Sequence, residues 1–142
     1  MDKQFVARQS ITINAPAAKV WDALVNPAKI KQYMFGTNAV SDWRKGSPIV
    51  FKGEWEGKTY EDKGMIVRLE PERLLEYTYF SPLAGLPDKP ENYHTIIVTL
   101  SEKGTQTFLA LTQDNNRTDQ VREHSEKNWQ VALSGLKKVV EQ

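Results

Sequence analysis

The groups able to do chemistry are few. The chain has no cysteine and two histidines, His94 and His124, which removes thiolate nucleophiles, disulfides and zinc–thiolate sites together. His94 sits beside Tyr93 at the start of a strand-like run, where an imidazole would serve as a polar anchor or a general acid/base at a cavity mouth. The competing reading is a partly exposed strand histidine. His124 falls in the polar first half of the last helical run and reads as a surface residue. With the two so separated and no Asp or Glu beside either at ligand spacing, no metal site is expected. Asp62 and Glu76 would form a carboxylate pair if their strands adjoin, although solvated outer-face charge is the simpler reading, and Glu76 alternates away from Tyr77 and Tyr79. There is no nucleophile elbow and no glycine-rich phosphate loop. Nothing argues positively for an enzyme, and no cofactor is expected.

Those side chains must be positioned by elements that the hydrophobic patterning defines. Residues 5–13 alternate, with Phe5, Ala7, Gln9, Ile11 and Ile13 on one side, and read as a strand ended by "NAP". Pro16 then suits a first helical turn, and Val20, Trp21, Leu24 and Val25 make an apolar stripe; Trp21 is expected to close one end of the core. Asn26-Pro27 breaks that helix, and "AKIKQYMF" supplies a second one up to Gly36. From 37 to 114 the chain reads as about six strands separated by tight turns, hence an antiparallel meander. The segment 82–92, with three prolines, is the longest loop. Thr118 is placed to cap a long final helix with Val121, Ser125, Asn128, Trp129, Ala132, Leu133, Leu136, Val139 and Val140 on one side. One helix on such a sheet is an α+β domain spanning 1–142.

Strand parity sorts the inner faces. It groups Met65 with Val67 and Leu69; Leu75 with Tyr77 and Tyr79; His94 with Ile96, Val98 and Leu100; and Thr107 with Leu109, Leu111 and Gln113. With Phe51 and Trp55 these make an apolar lining dotted with phenol, imidazole and amide groups, the usual make-up of a small-molecule pocket. A dry pocket at the lower bound of about 300 Å³ would cost on the order of 7 kcal/mol, so such a space must hold water or ligand or have collapsed.

Composition excludes other classes. Nineteen Lys and Arg against 18 Asp and Glu leave a net charge of +1, so no field recruits nucleic acid, and "GEWEGKTYED" is acidic where a stacking surface would interleave bases. No run of 18 uncharged apolar residues suggests a membrane span, and "MDKQFVARQS" lacks an apolar signal core. A cytoplasmic protein is expected.

The segments "INAPAAKVWDALVNPAKI", "DWRKGSPIVF", "GMIVRLEPERLLEYTY" and "NWQVALSGLKKVVE" resemble the START-like, helix-grip superfamily (SRPBCC), and within it the family of homologues of the activator of the ninety-kilodalton heat-shock protein ATPase. The resemblance covers nearly the whole chain. It implies a curved antiparallel sheet wrapped around the C-terminal helix, with a cavity between them that in many relatives receives a hydrophobic small molecule. Function does not follow from fold alone. The preferred expectation is a binding module for a lipid-like or aromatic ligand: Tyr77, Tyr79, His94 and Gln113 as polar points; Phe51, Trp55, Met65, Val98, Leu109, Trp129 and Leu133 as apolar lining; and 82–92 as the gate. The alternative implied by the resemblance is a co-chaperone-like interaction with a heat-shock ATPase. A polyketide cyclase-like enzyme comes third, with His94 or Glu76 as its acid/base.

Overall fold

The computed structural model describes residues 5–142, the side chain of Trp55 excepted. Strand β1 (Ala7–Ile13) leads into helices α1 (Ala17–Val25) and α2 (Pro27–Tyr33). Strands β2 (Asn38–Ser41), β3 (Pro48–Trp55), β4 (Lys58–Glu70), β5 (Leu74–Tyr79), β6 (His94–Lys103) and β7 (Gln106–Gln113) follow, and helix α3 (Asp119–Glu141) ends the chain. Within the described residues the strands form one sheet of seven in the order β1-β7-β6-β5-β4-β3-β2, with antiparallel neighbours throughout. The meander accounts for β2 to β7. Chain direction then places β1 on the far side of β7, where Ala7 pairs Gln113 and Ile13 pairs Thr107. This is the α+β helix-grip arrangement.

Each inner face is a period-two set. Ile13, Ile49, Ile66, Ile96, Leu109 and Leu111 turn inward from five strands and meet Ala132, Leu133, Leu136 and Val140 of α3. Those α3 residues recur at one, three and four positions, the spacing of a single helical face. Thr118 caps α3 by accepting the Val121 N–H at 3.1 Å. Val20, Leu24 and Ile30 fill the end of the grip. Trp21 is half-buried at the edge of that group and does not form its centre. The long C-terminal helix is also clamped at its polar margins: Glu126 accepts the Arg8 N–H at 2.9 Å and Glu141 accepts the Asn14 N–H at 2.7 Å.

One irregularity changes the expected faces. Ile66 pairs Tyr77, but Arg68 pairs Glu76, so Val67 is an extra residue in β4. Before this bulge the even positions Asp62 and Ile66 turn inward; after it Leu69 does. Met65 therefore lies on the outer face, 51% exposed, and not in the lining where unbroken parity puts it.

Candidate functional site

Between the sheet and α3 lie two adjoining spaces. The inner one, about 40 Å³, is apolar, with Leu24, Ile30, Trp43, Val98, Leu133 and Leu136 among its walls. The outer one, about 330 Å³, is bounded by Thr37, Tyr60, Asp62, Tyr79, Gln113 and Asn128 together with apolar groups. Met34, Phe51, Tyr77, Trp129 and Ala132 border both, so the small space continues the large one inward.

The aromatic wall comes from neighbouring strands. Phe51 of β3 lies 5.8 Å from the Tyr77 ring and 5.6 Å from the Tyr79 ring, both tilted, in the range where aromatic pairs attract. Tyr60 reaches the outer space because its cross-strand partner is Gly53: a Cβ there would stand 2.3 Å from the Tyr60 hydroxyl. The ring lies across the space that side chain would take, and its hydroxyl meets Thr37 Oγ1 at 2.6 Å. On the helix side, Trp129 Nε1 donates to Gln113 Oε1 at 2.7 Å, and Gln113 Nε2 donates to Asn116 Oδ1 at 3.2 Å and to Ser125 Oγ at 3.4 Å. Ser125 in turn donates to Asn116 Oδ1 at 3.0 Å, so this corner is internally satisfied.

Asp62 differs. Its side chain is 6% exposed, Tyr79 donates its hydroxyl proton to Oδ2, and Oδ1 has no partner. It is the one such atom among the buried side-chain N and O atoms of the described residues. Burial raises the Tyr77 and Tyr79 phenols well above the usual tyrosine range, and for Tyr79 the bond to Asp62 adds to it. Both stay neutral and able to donate near pH 7.

The expected site residues divide accordingly. Phe51, Tyr77, Tyr79, Val98, Gln113, Trp129 and Leu133 border one space or both. Leu109 is fully buried in the core behind them. Met65 is outside, for the reason given by the bulge. The Trp55 side chain lies outside the described residues. His94 shares the inward parity of its strand and stands 6.4 Å from the Tyr79 ring, but it lines a separate surface groove with Asn115, Arg117 and Val121, and its Nδ1 lies 2.8 Å from the Asp114 carbonyl oxygen. Glu76 is held on the other side of the sheet by Arg68 at 2.7 Å, so Asp62 and Glu76 are not a pair although their strands adjoin. Segment 82–92 is folded into two short 3₁₀ turns (Pro82–Ala84 and Pro90–Asn92) braced by Asn92 to Pro87 and by Tyr93 to Asp88. It borders neither space; the chain from Met34 to Thr37, after α2, contributes Met34, Phe35 and Thr37 to the lining of the outer one.

Sequence reasoning missed Asp62 as a lining residue, and with it Thr37 and Tyr60; it placed Ser125 and Asn128 on the inner side of the last helix without assigning them to the lining. A signal was present in "YEDKGMI", where Tyr60, Asp62, Gly64 and Ile66 share one parity; anchoring that strand on Ile66 would have turned Asp62 inward. Among the described residues no cluster of three His, Asp or Glu side chains could hold a metal ion, and no helix is long and apolar enough to cross a membrane.

Comparisons with known proteins agree with this architecture. The solution structure of ChR145 from Cytophaga hutchinsonii superposes with a TM-score of 0.87 at 53% identity, covering 99% of this chain and 97% of that one. The Aha1 dimer from Colwellia psychrerythraea gives 0.73 at 22% identity, over 96% of each chain. DynU16, from the dynemicin biosynthetic locus, gives 0.80 at 16% identity, over 98% of this chain and 48% of its own length. The last two share the fold. No curated protein matches. The family described as "Activator of Hsp90 ATPase homolog 1-like protein" matches residues 14–141, and to that family this helix-grip chain belongs.

Proposed function

We propose that the protein binds a small, mainly apolar molecule between the sheet and α3. The observation that carries this reading is the outer space of about 330 Å³, walled by Phe51, Tyr77, Tyr79 and Trp129 and continued inward by an apolar recess. That size falls at the lower end of ligand pockets. Left dry, it would cost roughly 8 kcal/mol at about 24 cal/mol per Å³, comparable to the stability of a whole domain. It is therefore filled, by water or by a ligand. Each Å² of apolar surface that a ligand buries there contributes about 25 cal/mol before ordering costs, enough for micromolar affinity. The chain from Met34 to Thr37 takes over the gate role assigned from sequence to 82–92.

The test is a titration of ¹⁵N-labelled protein with fatty acids, sterols and flavonoid-like aromatics. Saturable shifts of Thr37, Tyr60, Tyr79, Gln113 and Trp129 are expected; shifts absent from these residues throughout the library would sink the reading. A second reading, contact with a heat-shock ATPase, rests on the family match. Its expected outcome is a stable complex with the purified ATPase and a changed turnover rate.

A further inference from the structure

We propose that the chamber selects ligands whose buried end is a protonated amine, with Asp62 as the anchoring group. This deepens the small-molecule reading above and depends on it. Three observations converge. The one fully buried side-chain atom without a partner among the described residues is an acceptor on a residue of the lining: Asp62 Oδ1, on a residue 6% exposed, whereas Tyr79 is bonded to Asp62, Tyr60 to Thr37, and the Trp129 N–H to Gln113. A donor is what that oxygen lacks. Next, charge: Asp62 is the one acidic residue in the lining, and among the described residues no Lys, Arg or His lines the chamber to balance it. A ligand carboxylate would meet a carboxylate with no counter-charge, while an ammonium supplies both the missing proton and the missing charge. Finally, the walls: Phe51, Tyr60, Tyr77, Tyr79 and Trp129 surround the same space, and aromatic faces attract organic cations through the ring quadrupole. A hydroxyl satisfies the first observation alone, an ammonium all three.

The inference sorts the ligand classes. Fatty acids and other anionic amphiphiles are rejected at their head group even though their tails suit the apolar recess. Aromatic or aliphatic amines of modest size are accepted. Burial keeps the phenols of Tyr77 and Tyr79 neutral, and Asp62 is the one acidic side chain of the lining.

A matched series tests this: tryptamine, tryptophol, 3-propylindole and indole-3-propionate, which present one ring with an amine, a hydroxyl, no polar group and a carboxylate. Each is titrated calorimetrically into the wild-type protein and into Asp62→Asn, with labelled spectra to place the binding. The amine is expected to bind roughly ten- to a hundredfold more tightly than the carboxylate, the range for one charge-assisted hydrogen bond. Asp62→Asn keeps the shape and should level the series, removing the advantage of the amine over 3-propylindole and over the carboxylate. The wild-type ranking needs no variant, so a misfolded Asp62→Asn does not rescue the inference. Equal affinities across the series, or the carboxylate binding most tightly, overturn the amine assignment yet leave the small-molecule reading standing through 3-propylindole. If no member binds, the amine assignment falls, and the library titration above decides the small-molecule reading by itself.

Discussion

A buried carboxylate with one oxygen that no protein group partners is a cost to the fold. Leaving such a group unsatisfied costs about 1–3 kcal/mol, and replacing both members of a buried polar pair by apolar groups of similar shape is often neutral or stabilising. The double substitution Asp62→Leu with Tyr79→Phe is therefore expected to raise the unfolding free energy by about 1 kcal/mol or more, measured by urea denaturation, while abolishing the amine preference. A loss of stability would assign the pair a structural role instead. Phe35 shows the same tension in the lining of the outer space: it is 64% exposed and holds a left-handed backbone, φ 57°, just before Gly36. That conformation costs a non-glycine residue about 1–2 kcal/mol, part of which glycine returns as chain entropy. Phe35→Gly should leave the melting temperature level or slightly raised and weaken ligand binding, a pairing that thermal melts and calorimetry read separately. Of the polar lining, Tyr77, Tyr79 and Gln113 were legible in the sequence because their strands alternate without interruption. Asp62 was legible only through Ile66, with which it shares parity; grouping Met65 with Val67 and Leu69 carried the reading across a bulge and turned Asp62 outward.

At the level of elements, β4 is the strand that shapes the site. It pairs with β3 through Phe51 and Asp62, and with β5 through Ile66 and Tyr77, so one strand brings the carboxylate to the aromatic wall. The approach of β4 to β5 is close at Gly64, where a Cβ would stand 1.7 Å from the Thr78 carbonyl oxygen. Backbone cannot yield as the end of a side chain can. Gly64→Ala is expected to cost about 1–3 kcal/mol or more in urea unfolding and to disturb the Asp62 and Tyr79 resonances; a neutral result would show that the two strands separate freely there. The helices were easier to read. Thr118, the stripe from Trp129 to Val140 and the Asn26-Pro27 break are local signals, and they appear in the structure as the cap, the buried face and the α1–α2 junction.

On the scale of the molecule, two glutamates tie the ends of α3 to the β1 side of the sheet. Glu126 lies below its ordinary pKa chiefly because it accepts the Arg8 N–H, and Glu141 chiefly through Lys137 and then the Asn14 N–H. Folded values below the unfolded one mean that the stabilisation is fully present above about pH 4.5 and is lost as pH falls through the depressed folded values. The urea midpoint should hold steady from pH 7 to 5 and decline below it, and the decline should be shallower in the Glu126→Gln, Glu141→Gln double variant. Identical profiles would show that other carboxylates govern the acid response. The sequence by itself determined the order of elements, the antiparallel meander, the capped amphipathic helix and most inner faces, because periods of 2 and 3.6 and turn chemistry act over a few residues. Tertiary structure alone decided where the bulge in β4 falls, so that Met65 turns out while Leu69 turns in, that His94 faces a neighbouring groove, and that 82–92 borders neither space. Parity along a strand survives only as far as the next bulge, and a bulge is set by cross-strand pairing between segments distant in the chain.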